Sequence, residues 1–300
     1  MRFEKFTPKT EEKNEKKIQK EEKKEKETLK FGFDENEPLL EENKKEKNII
    51  ENLEKILKTE KQVNNALLIL QNNKRFKISD LIYLHNTIFN LKKPVLEIIN
   101  EIKNEIDKNY YEVIIGDDAS GRIPTLIFRE IINERRKKLN IKEGITTKFI
   151  AGGKGSFWDE TKITKAKELI QKMKIKNKKS LLITEYISQT GVGFATLASI
   201  LEKEKVDFDC IILASYHKKK FYLKKFPVFR RHRFLIGREQ NKPFSTLYGD
   251  YEMTGVRKEF YNDVLTKRTK NNNKYYIYYS RFFIKELAQE VVNNVWEEKK

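Results

Sequence analysis

The chain has 300 residues, a net charge of +18 from 63 Lys+Arg against 45 Asp+Glu, and one cysteine. A single cysteine excludes a disulfide framework within the chain, and no stretch approaches the roughly 20 consecutive apolar residues of a membrane-spanning helix. The first 30 residues are charged where a secretory signal needs an apolar run, so a cytoplasmic protein in a reducing compartment is the expectation.

The charge is unevenly placed. Met1 to Asn48 carries 14 basic and 14 acidic residues, a net of zero, whereas His217 to Lys300 carries 20 and 9. A positive field at the C-terminal end suits a nucleic acid or a polyphosphate ligand. The Lys-, Asn-, Ile- and Glu-rich composition is also what an AT-rich coding sequence yields, so the excess alone identifies no partner.

Residues 1–48 are dominated by Lys and Glu, with too little apolar surface to offset the entropy of ordering, and read as a disordered arm. Residues 49–107 read as a helical extension. Ile49, Ile50, Leu53, Ile56, Leu57, Ala66, Leu67 and Leu70 recur at helical steps up to about Gln71. A second run through Leu84, Ile88, Leu91, Val95, Ile98 and Ile102 opens near Ser79 as N-cap and extends to about Asp107, with a bend expected at Pro94.

From residue 108 to 216 the pattern changes to short apolar strand, small-residue loop and amphipathic helix in repetition, the signature of a parallel sheet built from βαβ units. The strands are expected at Tyr111–Ile115, Thr146–Ile150, Ser180–Thr184 and Phe208–Ala214, the last holding Cys210 in a buried run. Helices are expected over Ile123–Leu139, over Glu160–Met173, and from Gly193 to about Lys203. Right-handed crossovers put the loops that follow the strands on one sheet edge, where ligands of open α/β sheets bind.

Two of those loops look built for phosphate. After the third strand, Glu185-Tyr186-Ile187-Ser188-Gln189-Thr190-Gly191-Val192-Gly193 leads into a helix. Its glycines let backbone amides approach an oxygen, its hydroxyls add donors, and the helix N-terminus adds unpaired N–H groups. After the first strand, Gly116-Asp117-Asp118-Ala119-Ser120-Gly121-Arg122 does the same, with Arg122 as a rigid fork for phosphate oxygens and Asp117 and Asp118 as hard ligands able to hold Mg²⁺ through water. Neither a Walker phosphate loop nor a dinucleotide fingerprint is present.

Taken in this order and spacing, the two loops resemble those of the type I phosphoribosyltransferases, and the resemblance covers about a third of the chain. It implies an α/β, parallel-sheet core that binds phosphoribosyl pyrophosphate or a nucleotide, with Mg²⁺, and transfers the phosphoribosyl group to or from a nitrogenous base. By it, Ser188, Gln189, Thr190, Gly191 and Gly193 hold the ribose 5-phosphate, Glu185 contacts the ribose hydroxyls, and Ser120, Gly121 and Arg122 face the pyrophosphate. Lys154, in the loop Ala151 to Asp159, falls where the family places a basic lid, and with Arg122 would stabilise the leaving pyrophosphate. The chain departs from the family at Tyr186, where a second carboxylate is usual. That departure keeps a second reading open, a non-catalytic regulator or nucleic-acid-binding protein on the same fold.

Residues 217–300 form a basic, aromatic region that the resemblance casts as a hood over the site. His217 to Arg233 alternates cations with rings and holds no acidic residue, a pattern that suits single-stranded nucleic acid or, equally, a helix with packed rings and solvated lysines. His85, His217 and His232 lack metal-ligand spacing. A last amphipathic helix is expected over Ser280–Trp296.

Overall fold

The computed structural model describes residues 51, 53–72, 76–118, 121–151, 158–187, 190–239, 251–254, 256–257, 264–265, 267–268 and 274–297. The charged arm at 1–48 therefore lies outside the described residues.

The helical stretch from residue 53 is interrupted where the sequence suggested continuity. A new helix, α1 (Glu60–Asn72), starts behind Thr59, whose Oγ1 accepts from Gln62 N at 3.3 Å while Gln62 Oε1 accepts from Thr59 N at 3.0 Å. This reciprocal capping box satisfies two orphan donors and outweighs the unbroken apolar periodicity. The next helix, α2 (Ile78–Phe89), begins one residue before the expected Ser79 cap, because Asp80 reaches back to accept from Lys77 N at 2.7 Å. The chain then turns at Asn90–Leu91 into α3 (Lys92–Asp107). Pro94 sits in the first turn of α3, where its missing N–H costs nothing, and so it starts a helix rather than bending one.

Five parallel strands follow: β1 (Val113–Asp117), β2 (Thr146–Ile150), β3 (Lys179–Ile187), β4 (Asp207–Ser215) and β5 (Phe234–Glu239), ordered β2-β1-β3-β4-β5. The α/β parallel sheet expected from the sequence is present, with a fifth strand that the basic residues on either side conceal. The crossover helices are α4 (Arg122–Lys138), α5 (Glu160–Met173) and α6 (Val192–Lys203). The segment leading to β5 holds α7 (Lys219–Lys225) and α8 (Val228–Arg231). Beyond β5 lie α9 (Tyr251–Thr254), a two-residue antiparallel pair of β6 (Val256–Arg257) and β7 (Lys267–Arg268), and the long α10 (Lys274–Trp296).

The sheet is sandwiched. α3 covers β4 and β5 and α4 covers β1 and β3, with α2 and α10 packed outside them; α5 and α6 cover the opposite face. β1 and β4 are apolar on both faces and nearly wholly buried, as central parallel strands must be, whereas edge strand β2 is largely half-exposed. The helices before residue 108 and the strand after 216 thus share one core with the residues between them.

Sheet order decides where a ligand can enter. From β1 the chain winds outward to β2, then returns to build β3, β4 and β5 on the other side. The loops leaving β1 and β3 therefore diverge to opposite faces, and a crevice opens between their C-terminal ends.

Candidate functional site

Both strands flanking the crevice run further than sequence alternation suggested. β1 continues through Asp117 opposite Ile150, and β3 continues through Ile187 opposite Ser215. Ladder partners distant in sequence supply these extra residues, so Gly116, Asp117, Glu185, Tyr186 and Ile187 are strand rather than loop.

At the end of β1 the chain turns within four residues into α4. Gly121 N donates to Asp117 O at 2.5 Å, and a Cβ on Gly121 would lie 2.5 Å from Ile183 O on β3. Only glycine fits, and the N-terminus of α4 consequently sits directly against the β1–β3 junction. Arg122 is the first residue of α4. Its Nε and Nη2 donate to both oxygens of buried Asp118, at 2.9 and 2.7 Å, and its guanidinium stacks on the Phe149 ring at 4.1 Å. The fork expected to face pyrophosphate is thus held by a buried carboxylate on one side and by a ring on the other. Thr184 Oγ1 lies 3.3 Å from Asp117 Oδ2 across the junction.

The loop after β3 is held from behind by the basic segment. Gly191, at φ +64°, ends the loop and caps α6 in the left-handed region that glycine adopts without strain. A Cβ there would meet Tyr222 and Phe226 at 3.0 and 3.1 Å. Lys225 Nζ donates to Thr190 O at 3.0 Å, and the buried Tyr222 hydroxyl donates to Ile187 O at 3.3 Å. From the α5 side, Trp158 Nε1 donates to Gly193 O at 3.2 Å, and the buried Lys162 Nζ stands 4.7 Å from the Trp158 ring. α7 and Trp158 together fix the opening of α6. Sequence reasoning did not single out Lys225, Tyr222 or Trp158; the available signal was a run of cations and rings whose destination depends on tertiary packing.

Glu185 and Tyr186 are neighbours on one strand, so their side chains take opposite faces. Glu185 is 0% exposed. Tyr186, on the α6 face, is partly open, and burial together with the neighbouring Tyr216 raises its hydroxyl above the ordinary tyrosine range. A carboxylate in that state has no surface turned to a ligand.

Arg122, Gly121, Asp117, Asp118, Glu185, Thr190, Gly191 and Gly193 are thus gathered around the β1–β3 end by the loops that follow those two strands. Ser120, Lys154, Ser188 and Gln189 lie outside the described residues. Of the two carboxylates expected to hold Mg²⁺ through water, Asp118 has both oxygens engaged by Arg122, and no group of three His, Cys, Asp or Glu is placed to hold a metal among the described residues.

The alternation of cations and rings after His217 resolves into packing. Tyr222 and Phe229 are buried, Phe229 stacks on Phe234 of β5 with ring centroids 4.4 Å apart, and Phe226 packs against the same core. Of these rings only Phe221 reaches the surface appreciably, so the segment offers no row of open rings for bases to stack on. His232 hydrogen-bonds Phe208 O and Glu202, and His85 stacks on Phe89. No helix among the described residues is long and apolar enough to cross a membrane. From the C-terminal region, Val264 O accepts from Ala151 N at 2.9 Å, beside the end of β2.

No protein-family model and no curated protein sequence matches the chain. Among solved structures it is similar to an orotate phosphoribosyltransferase from Aeropyrum pernix at 11% identity, with 48% of this chain and 68% of that one covered and a TM-score of 0.28. A hypoxanthine phosphoribosyltransferase from Staphylococcus aureus matches at 15% identity over 62% and 88% of the two chains, with a TM-score of 0.26. A hypothetical protein from Neisseria gonorrhoeae with bound ppGpp matches at 15% identity over 52% and 78%, with a TM-score of 0.28. Similarity at this level assigns no residue a role, and the site stands on its own geometry. In fold, the chain is an α/β protein built on a five-stranded parallel sheet.

Proposed function

We propose that the chain binds a phosphorylated ribose, phosphoribosyl pyrophosphate or a nucleotide, in the crevice between β1 and β3. The observation that carries this reading is the pairing of two glycine-opened helix N-termini, α4 behind Gly121 and α6 behind Gly191, at one sheet edge. Each brings the positive dipole end of a helix to the place where an open α/β sheet takes its ligand. In this reading Thr190, Gly191 and Gly193, with Ser188 and Gln189, take the 5-phosphate, and Lys225 adds a cation beside them. Ser120, Gly121, Arg122 and Lys154 would serve the pyrophosphoryl end, with any Mg²⁺ arriving on the ligand rather than in a protein-built cage.

Transfer of the phosphoribosyl group to or from a base is the catalytic form of this proposal. Its chemistry would be positioning and electrostatic stabilisation of the leaving pyrophosphate. The non-catalytic form is favoured by one specific feature: Glu185 is fully buried and Tyr186 occupies the neighbouring position. We therefore place ligand binding first, and turnover second.

Calorimetric titration with phosphoribosyl pyrophosphate and with ribose 5-phosphate, with and without Mg²⁺, tests the reading. Micromolar binding of both that Gly191→Val abolishes is the expected result. Absence of binding to the folded protein in every condition would leave the likeness as one of fold alone.

A further inference from the structure

β3 outruns its neighbour β1. Asp117, the last residue of β1, stands beside Thr184, whose Oγ1 lies 3.3 Å from Asp117 Oδ2, and the chain then turns away into α4. Glu185, Tyr186 and Ile187 run on past that point, where β4 is their ladder partner: Tyr186 stands opposite Ala214 and Ile187 opposite Ser215. Tyr186 is therefore at the mouth of the β1–β3 crevice. Two residues on from Thr184, it takes the same face of the sheet, and its partner across the ladder offers only a methyl group, which leaves the ring partly open.

The turn that opens α6 is close to this strand end. Tyr222 spans the two: its hydroxyl donates to Ile187 O at 3.3 Å, and its ring atoms stand 3.0–3.1 Å from the position of a Cβ on Gly191. One tyrosine ring thus separates the end of β3 from the N-terminus of α6. Unlike Tyr222, Tyr186 has no hydrogen-bond partner for its hydroxyl among the described residues. Burial, then the neighbouring Tyr216, raises that hydroxyl above the tyrosine range, so it keeps its proton at neutral pH. A neutral phenol both donates and accepts a hydrogen bond. It is no match for Mg²⁺, which takes carboxylates, phosphates and water.

We propose, resting on the crevice reading given above, that Tyr186 is the specificity-determining residue of the site. Its hydroxyl engages the vicinal hydroxyls of a ribose whose 5-phosphate lies at the Gly191 turn, donating to one and accepting from the other. The chain then selects ribose over 2-deoxyribose phosphates, and does so without a divalent ion. A site that hydrogen-bonds a ligand hydroxyl rejects the analogue lacking it, because the protein group is left unpaired. Free sugar phosphates and nucleotides present this same diol.

Calorimetric titration of wild type, Tyr186→Phe and Tyr186→Gln with ribose 5-phosphate and 2-deoxyribose 5-phosphate tests the contact. Wild type is expected to bind ribose 5-phosphate about tenfold more tightly than its 2-deoxy analogue, equally in Mg²⁺ and in EDTA. Tyr186→Phe should lower the affinity for ribose 5-phosphate to that for the analogue and leave the analogue's own affinity unchanged, a selective loss that a merely structural role for the ring would not produce. Tyr186→Gln, with a donor and an acceptor of its own, should recover part of the preference. AMP and 2′-deoxy-AMP, run alongside, separate the sources: with the preference lost in Tyr186→Phe, tighter binding of AMP than of ribose 5-phosphate supports the contact in a nucleotide, and equal affinity supports it on a free sugar phosphate. Equal affinity of wild type for the two sugar phosphates would overturn the proposal and leave the crevice reading standing. A preference that survives in Tyr186→Phe, or ribose 5-phosphate binding that requires Mg²⁺, would do the same. No binding of any of these ligands to wild type would overturn both.

Discussion

Gly121 lies so close to Ile183 that a single added carbon would stand 2.5 Å from its carbonyl oxygen. The obstacle is backbone on both sides, since Asp117 N and O lie at 2.7 and 2.8 Å from the same point. No side-chain rotation relieves it. Gly121→Ala should therefore push α4 off the β1–β3 junction and cost about 1–3 kcal/mol as overpacking, measured by urea denaturation. A variant as stable as wild type would show that the junction is looser than described.

Gly191 fails for a second reason. Its φ of +64° costs an alanine about 1–2 kcal/mol, and Tyr222 and Phe226 already stand at 3.0–3.1 Å from the position of its Cβ. Gly191→Ala should lower both stability and affinity for ribose 5-phosphate. Pairing Gly191→Ala with Phe226→Leu should restore part of the lost stability but leave the φ cost. Full restoration would assign the whole effect to crowding.

The Arg122–Asp118 pair couples ligand tests to folding. Asp118 is buried, and removing the fork that binds both its oxygens should destabilise the protein by about 3 kcal/mol. Arg122→Ala on its own will thus conflate binding with unfolding. The double variant Arg122→Ala, Asp118→Asn should recover much of the loss, read from a double-mutant cycle in denaturant. Additive effects would mean that the two side chains do not act as a pair.

At the opposite sheet edge Tyr111 donates to Asp209 Oδ2 at 2.7 Å, and Lys179 Nζ donates to Asp209 Oδ1 at 2.9 Å. Burial, then the hydrogen bond to Asp209, holds the Tyr111 hydroxyl far above the tyrosine range, and burial raises Tyr279 to about 12. In the unfolded chain both ionise near pH 10. Above that pH the folded state keeps protons that the unfolded state has released, so this contribution is complete below about pH 10 and is lost as pH rises beyond it. Thermal midpoints should fall steeply between about pH 10 and 12. Tyr111→Phe should flatten that limb while costing about 1–3 kcal/mol at neutral pH, because Asp209 loses a donor.

Tyr186→Asp separates the catalytic from the binding form of the proposed function. If the chain is an enzyme weakened by one missing carboxylate, the substitution should raise pyrophosphate release from phosphoribosyl pyrophosphate in the presence of nucleobases. No turnover in either form, with ligand binding intact, would favour the non-catalytic form.

Much of the fold was written locally. The N-cap of α5 needed no distant partner, and Thr146–Ile150 and Glu160–Met173 match their sequence expectations residue for residue. Asp159 Oδ1 accepting from Lys162 N at 2.7 Å is that kind of signal. Strand ends were less legible because they depend on ladder partners such as Ser215 for Ile187. β5 went unread because four apolar-leaning residues between Arg233 and Arg238 look like a loop until β4 supplies hydrogen bonds to them.

By itself the sequence determined the parallel α/β core, the two glycine loops and their order, since turn chemistry and hydrophobic period act over a few residues. Tertiary structure alone decided that Glu185 is sealed in, that Arg122 is held by Asp118 and Phe149, and that the cation-and-ring segment packs behind Gly191. Each of these rests on contacts between residues brought together only when the sheet closes its layers, and no local pattern encodes a charge's distance from another element.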